Sequence, residues 1–231
     1  KLKTKNRKLP YCYKSSAKGY ELLPLQPETC NLTPLHMQYD TDHINHLIRN
    51  RRSVFPDQFD AEKHIPDEII HEILINATWA PTHGQNEPWH FSVFTGNGLK
   101  QLASFQSELY RQEAGSTFAE KKFLKLQQQP LKASHVIAIG MKRGANTRIP
   151  EMEDIEAVAC AVQNIYLSVT AYGLGGYWTT GGITYYDKAK AFFGLGGADK
   201  LLGFFYIGYV AVSSAKGKRA DSSTKISWIR E

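Results

Sequence analysis

Cysteine is scarce in this chain of 231 residues, with three in all, Cys12, Cys30 and Cys160. They are too few and too widely spaced to frame a disulfide scaffold or a thiolate zinc site, and such usage suits a reducing compartment. Long hydrophobic runs are missing as well. No apolar stretch approaches the roughly 20 residues needed to span a bilayer, and the lysine-rich first residues lack the apolar core of a secretory signal. The expectation is a soluble, cytoplasmic protein with no membrane partner. A broad basic face is also lacking, despite a formal charge of +6. Residues 1–36 hold seven Lys and Arg against Glu21 and Glu28, a net of +5 that leaves the remaining chain near neutral. That distribution argues against a nucleic-acid partner.

What the chain does have is 42% hydrophobic and 12% aromatic residues, enough for one sizeable core. Residues 1–36 mix basic residues with Pro10, Pro24, Pro27 and Pro34 and show no sustained period, so they read as a basic, disordered or loosely attached segment. Met37 opens the patterned region, 37–231, and is read as the natural start.

From Asp42, Ile44, Leu47 and Ile48 recur at helical spacing, and the helix ends on Arg51-Arg52-Ser53. Pro66-Asp67-Glu68 opens a second helix with a buried stripe of Ile69, Ile70, Ile73, Leu74 and Ala77. A loop from Pro81 to Pro88 leads to a strand at 90–95, closed by turn residues Gly96-Asn97-Gly98. Residues 99–128 read as two polar helices broken near Gly115, a lid or exposed excursion. The run 135–140 suits a central strand, and 151–172 a buried helix, with Cys160 a small buried residue. Gly173-Leu174-Gly175-Gly176 ends that helix, Tyr177-Trp178-Thr179-Thr180 extends into a strand, and Gly181-Gly182 turns. A short helix at 187–193 and a strand from Phe204 to Val212 complete a mixed α and β domain.

Arg51, Arg52 and Ser53 gather two fixed cations and a hydroxyl, which can hold a phosphate. Taken alone, they are more simply basic residues capping a helix C-terminus. The loop 80–89 is stiff and polar, able to offer amide, imidazole and hydroxyl groups to a flat heterocycle, or to serve as a plain connector with Trp89 in the core. The glycines at 173–176 follow a helix and precede a strand, the reverse of a dinucleotide fingerprint. No nucleophile has an elbow-like context. Neither His43 with His46 nor His64 with His71 carries a ligand pattern, so no metal is expected.

In order and spacing, Arg51-Arg52-Ser53 after the first helix, Ala80-Pro81 leading to Pro88-Trp89-His90-Phe91, and Gly173-Leu174-Gly175-Gly176 running into Trp178 resemble the nitroreductase family of FMN-dependent oxidoreductases, over residues 37–231. The resemblance implies an α+β fold with a mixed central sheet flanked by helices, assembled as an intertwined homodimer with FMN at the interface. Arg51, Arg52 and Ser53 would hold the flavin phosphate and ribityl chain, with His83, Gln85 and the residue at Trp79 reaching the same flavin from the other subunit. Trp178, Thr179 and Thr180 would contact the ring, through backbone amides, and Lys218 or Arg219 would join the phosphate. Ser168 to Gly173 falls where a nicotinamide cofactor binds in similar proteins. Two positions depart from the family pattern: Trp79, where relatives carry arginine, and Glu87, where glutamine precedes Pro-Trp.

The chemistry so implied is ping-pong hydride transfer from NADH or NADPH through flavin N5 to a nitroaromatic, quinone or other electron-poor small molecule, with no side chain as nucleophile. Alternatives on the same scaffold are reductive dehalogenation and flavin fragmentation. From a different class, the chain could be a flavin-binding or nucleic-acid-associated module without catalysis.

Overall fold

A computed structural model describes residues 11–16, 19–24, 39–144, 146 and 148–230. Residues 1–41 and 42–231 form separate compact units. In the first, β1 (Tyr11–Ser16) and β2 (Gly19–Pro24) pair antiparallel, with Tyr11 opposite Pro24 and Ser16 opposite Gly19. The absence of regular structure expected for residues 1–36 therefore fails at these two strands, and the rest of that segment lies outside the described residues. Proline misled the reading because Pro24 ends its strand, a position where a missing N–H is tolerated.

The second unit is built on a four-stranded sheet of β3 (Trp89–Thr95), β4 (His135–Met141), β5 (Leu174–Thr179) and β6 (Lys200–Tyr209), in the order β3-β4-β6-β5. All three ladders are antiparallel. Among the described residues, the parallel contribution to the expected mixed sheet is a single bridge, Ser53 to Gly176. β4 is buried at every residue because both of its faces are covered, and strand alternation sorts them. Ile137, Ile139 and Met141 join the cluster under α2 (Asp67–Thr78) and α5 (Glu151–Ala171). Val136 and Ala138 join the cluster under α3 (Asn97–Glu113) and α4 (Glu120–Gln128).

Several local expectations change. Gly96 alone turns the chain, at φ 52°, and Asn97-Gly98 already belong to α3. The helices at 97–128 are no exposed excursion, since Leu102, Leu109, Tyr110, Phe123 and Leu126 are buried in the core. Cys160 is exposed. The buried stripe of α5 runs through Ala157, Val158, Ala161, Val162, Ile165 and Val169, and residue 160 falls on the opposite side of the helix. β5 begins at Leu174 and contains Gly175 and Gly176, which the sequence had placed before the strand. Both glycines are there for close approach: a Cβ would meet Phe59 at 2.8 Å from the first and Phe205 at 2.7 Å from the second. Residues 187–193 form a 3₁₀ helix, and β6 ends at Tyr209 rather than 212.

Candidate active site

α1 (Thr41–Asn50) delivers Arg51, Arg52 and Ser53 to the edge of the sheet. Arg52 behaves as a helix cap: its Nη1 donates to the carbonyls of Arg49 at 2.6 Å and Arg51 at 2.8 Å, satisfying oxygens that the helix end leaves open. Arg51 instead lies over the Tyr166 ring, 4.6 Å from its centroid. Ser53 is fixed beside β5 by its bridge to Gly176, continued by the Val54 N–H donating to the Gly176 carbonyl at 2.9 Å. Tyr166 joins the parts. Its hydroxyl accepts from the Trp178 N–H at 2.8 Å and lies 3.4 Å from Ser53 Oγ.

Beside this knot is a cleft of about 380 Å³ lined by Arg49, Arg51, Arg52 and Arg219, with Gln163 and Gly217. Among the described residues none of the four guanidinium groups is paired with a carboxylate, the ion-paired arginines being Arg111 and Arg143. Four unneutralised planar donors around one hollow suit a phosphate, whose oxygens accept bidentate hydrogen bonds. Gly217 lets the chain close over Arg52, where a Cβ would lie 2.5 Å from Cζ. Both readings of Arg51-Arg52-Ser53 thus have a physical basis, Arg52 capping the helix and Arg51 facing the cleft. Lys218 is exposed and does not line it.

The loop after α2 occupies a different place. His83 Nδ1 lies 2.5 Å from Glu153 Oε2, and Asn86 Nδ2 donates to Asp154 Oδ1 at 2.5 Å. These acids open α5, whereas Tyr166 stands thirteen residues further along it, about 20 Å at the helical rise. One chain therefore does not bring His83 together with Arg51. Gln85 is exposed with φ 54°, Glu87 has φ 45°, and Trp79, at the end of α2, is 82% exposed. Two non-glycine residues with positive φ in one loop are uncommon and cost strain.

Strand alternation divides the residues at the end of β5 and just beyond it. Trp178 and Thr180 line a small recess of about 150 Å³ with Tyr185 and Leu202. Thr179 lies with Gly181, Phe204 and Tyr206 around another hollow. The Trp178 indole donates to the Leu202 carbonyl at 3.1 Å, which fixes the ring against β6. Ser168 is turned inward, its hydroxyl accepting from Asn76 Nδ2 at 3.2 Å. Gly173, at φ 70°, follows the end of α5. The bond to Asn76 accounts for Ser168, and the left-handed backbone for Gly173, where a Cβ would meet nothing within 4 Å.

Arg49, Gln163 and Tyr166 were not singled out from the sequence. The signal was available for two of them: Gln163 and Tyr166 are polar-tipped residues three apart on α5, hence on one face.

The nitroreductase family matches residues 48–209. The Escherichia coli K12 protein named Putative NAD(P)H nitroreductase YdjA is 30% identical over 162 residues, covering 70% of this chain and 85% of that one. Among solved structures, the nitroreductase-like family protein from Bacillus cereus superposes with a TM-score of 0.68 at 26% identity, covering 83% of this chain and 97% of that one. The FMN-dependent nitroreductase NfnB from Mycobacterium smegmatis, in complex with NADPH, gives 0.64 at 20% identity, covering 82% and 99%. The match spans well over half of the chain and contains Arg51, Ser53, Tyr166 and Trp178: this chain belongs to the nitroreductase family.

Proposed function

We propose that the chain is an FMN-dependent NAD(P)H oxidoreductase that works as a homodimer and delivers electrons to a nitroaromatic, quinone or similarly electron-poor small molecule. The observation that carries the reading is the four-arginine cleft beside Ser53, Tyr166 and Trp178. Its donor set fits a phosphomonoester: the guanidinium groups suit the dianion, and Ser53 and Gln163 suit a polyhydroxy chain next to it. When bound, FMN supplies a ring that takes up a hydride and gives it back.

The residues of the chain bind and orient. Arg51, held over Tyr166, and Arg219 would anchor the phosphate from one side, with Arg49 at the rim. The Trp178 indole, locked to Leu202, makes the adjoining wall stiff and apolar with Tyr185. The two substrates would use one face of the flavin ring in turn, which is why ping-pong kinetics are expected.

The dimer is supported by unpartnered apolar surface. α1 has no buried residue, and Ile44 and Ile48 on its apolar stripe are exposed. Trp79, Tyr185, Trp228 and Ile229 are each more than 75% exposed, large apolar side chains that a partner copy could cover. A second copy would also bring a His83–Gln85 loop towards Arg51, which a single chain holds apart. Among the described residues no helix is long and apolar enough to cross a membrane, which suits a cytoplasmic enzyme.

The test is an absorption spectrum with titration. Purified protein should carry or take up FMN, bleach with NAD(P)H and recover on adding a nitroaromatic or quinone. Arg51→Ala should weaken FMN retention at least tenfold. A protein that cannot be reconstituted with FMN, or an Arg51→Ala variant that binds it unchanged, would overturn the reading.

A further inference from the structure

The sequence pairs His64 with His71, seven residues on, as its one nearby imidazole. Folding gives it different company. His135, the first residue of β4, is buried to 1% exposure, and its Nε2 meets Asp67 Oδ1 at 2.9 Å. His64 Nε2 approaches the same oxygen at 3.8 Å, and the two imidazole rings lie 5.0 Å apart, centroid to centroid. One ligand atom from each of the three residues falls within 4.8 Å of the others. We infer that His64, Asp67 and His135 form a binding site for a divalent cation of the zinc class.

An ordinary His–Asp hydrogen bond explains the 2.9 Å contact, and the three-residue spacing brings His64 near Asp67, but neither requires both imidazoles to face one carboxylate oxygen. Ion geometry does. Bonds of about 2.0–2.2 Å in a tetrahedral zinc site set neighbouring ligand atoms about 3.3–3.6 Å apart, and the separations of 2.9 and 3.8 Å fall on either side of that range. Two nitrogens and one carboxylate oxygen form a donor set that borderline metals favour over calcium or magnesium, which take oxygen ligands.

The outer contacts also suit the role. Ser134 Oγ lies 3.0 Å from His135 Nδ1 and accepts from the Ile65 N–H at 2.8 Å, so it orients the buried ring from behind, as second partners of metal-bound histidines do. On metal binding, the His135 proton would sit on Nδ1, facing Ser134, leaving Nε2 to the ion. Access is provided by a surface cleft of about 390 Å³ lined by Asp67, His71 and His135, where water could complete the coordination. The N-terminus of α2 opposes a cation, and Asp67 with Glu68 in its first turn offsets that field.

The site is separate from the arginine cleft. Ser53, Gly176, Ile207 and His135 follow one another across adjacent strands, three steps of about 4.8 Å, or ~14 Å in all. A bound ion would tie the start of α2 to the first residue of β4, stabilising the fold without entering the hydride chemistry.

The experiment uses full-length, FMN-loaded protein stripped with EDTA and desalted, titrated with zinc sulfate by calorimetry and followed by thermal unfolding. The expected result is one zinc ion per chain, with binding weakened at least tenfold in both His64→Ala and Asp67→Ala and unchanged in His46→Ala. Zinc should raise the unfolding midpoint of the parent, because it binds the folded state, and leave that of His64→Ala unmoved. The side chains at 64 and 67 are more than half exposed, so both variants should fold, with FMN content as the check. Absence of saturable uptake, or uptake as tight in His64→Ala and Asp67→Ala as in the parent, overturns the proposal, whatever the outcome for the flavin.

Discussion

Asn86 and Asp154 are joined by a 2.5 Å hydrogen bond that ties the loop after α2 to the first turn of α5. Asp154 is buried to 1% exposure and is also paired with Arg143, whose Nη2 donates to the Ile149 carbonyl at 2.7 Å. Asp154 thus fastens two loops at once. Removing one partner of such a pair leaves a buried charge uncompensated, at about 3–5 kcal/mol. Urea unfolding of Asp154→Ala should show a loss of that size. Asn86→Ala, which leaves the ion pair intact, should lose about 1.5–3 kcal/mol, the range for a hydrogen bond to a charged group. Equal losses in the two variants would show that Arg143 contributes nothing to the fastening.

Tyr166 makes two contributions that substitution can separate. Tyr166→Phe removes the oxygen that accepts from the Trp178 N–H but keeps the ring beneath Arg51. An amide left without its partner costs about 1–3 kcal/mol where water is excluded, so unfolding free energy should fall by about 1–2 kcal/mol while FMN affinity changes by less than threefold. Tyr166→Leu removes the ring too, frees Arg51 and should weaken FMN binding by roughly tenfold, since a cation–π contact of this kind is worth about 0.5–2 kcal/mol. Fluorescence titration with FMN, alongside denaturant unfolding, separates the two effects.

The legibility of the sequence followed its periods. α2, α5 and β4 could be read because their buried faces recur at 3.6 or 2 residues, and the ends of α2 and α5 because Pro66 and Gly173 mark them. Arg51, Arg52 and Ser53 could be found because they sit together in the chain. Tyr166 could not be weighed in the same way, since its role depends on Ser53, 113 residues away, and no local pattern encodes that meeting. The same holds for His64 with His135: in sequence, His64 has His71 as its obvious partner, and only the packing of α2 beside β4 replaces it. Gly175 and Gly176 were misplaced for a related reason. Local propensity ends a structure at paired glycines, whereas here Phe59 and Phe205 require them inside a strand.

That requirement is testable. A Cβ added at Gly208, in β6, would lie 2.6 Å from Phe59 Cγ, while one at Gly197 would meet nothing within 4 Å. Gly208→Ala must push an aromatic ring out of a packed site, and overpacking of this kind costs about 1–3 kcal/mol. Gly197→Ala should be neutral or slightly stabilising, because alanine restricts the unfolded chain. Thermal unfolding of the pair should place Gly208→Ala several degrees below the parent and Gly197→Ala within about a degree of it. A Gly208→Ala variant as stable as the parent would show that Phe59 can move aside without cost.

His135 should make stability depend on pH in a defined direction. Burial pushes its imidazole below the ordinary value of 6.5, outweighing the hydrogen bond it donates to Asp67, which pulls upward; the nearby His64 adds to the lowering. The unfolded chain therefore takes up a proton at a pH where the folded chain does not. Where the unfolded state binds more protons, stability rises with pH. The contribution of neutral His135 is thus fully present above about pH 6.5, falls as the pH drops towards the folded value, and is lost below it. Unfolding measured in EDTA between pH 7.5 and 5 should show stability declining on acidification, and His135→Gln, which cannot titrate, should decline less over the same span. Parallel curves for the two proteins would mean that the ring takes up its proton equally readily in the folded and unfolded states, so that its burial at the start of β4 is of no consequence for acid stability.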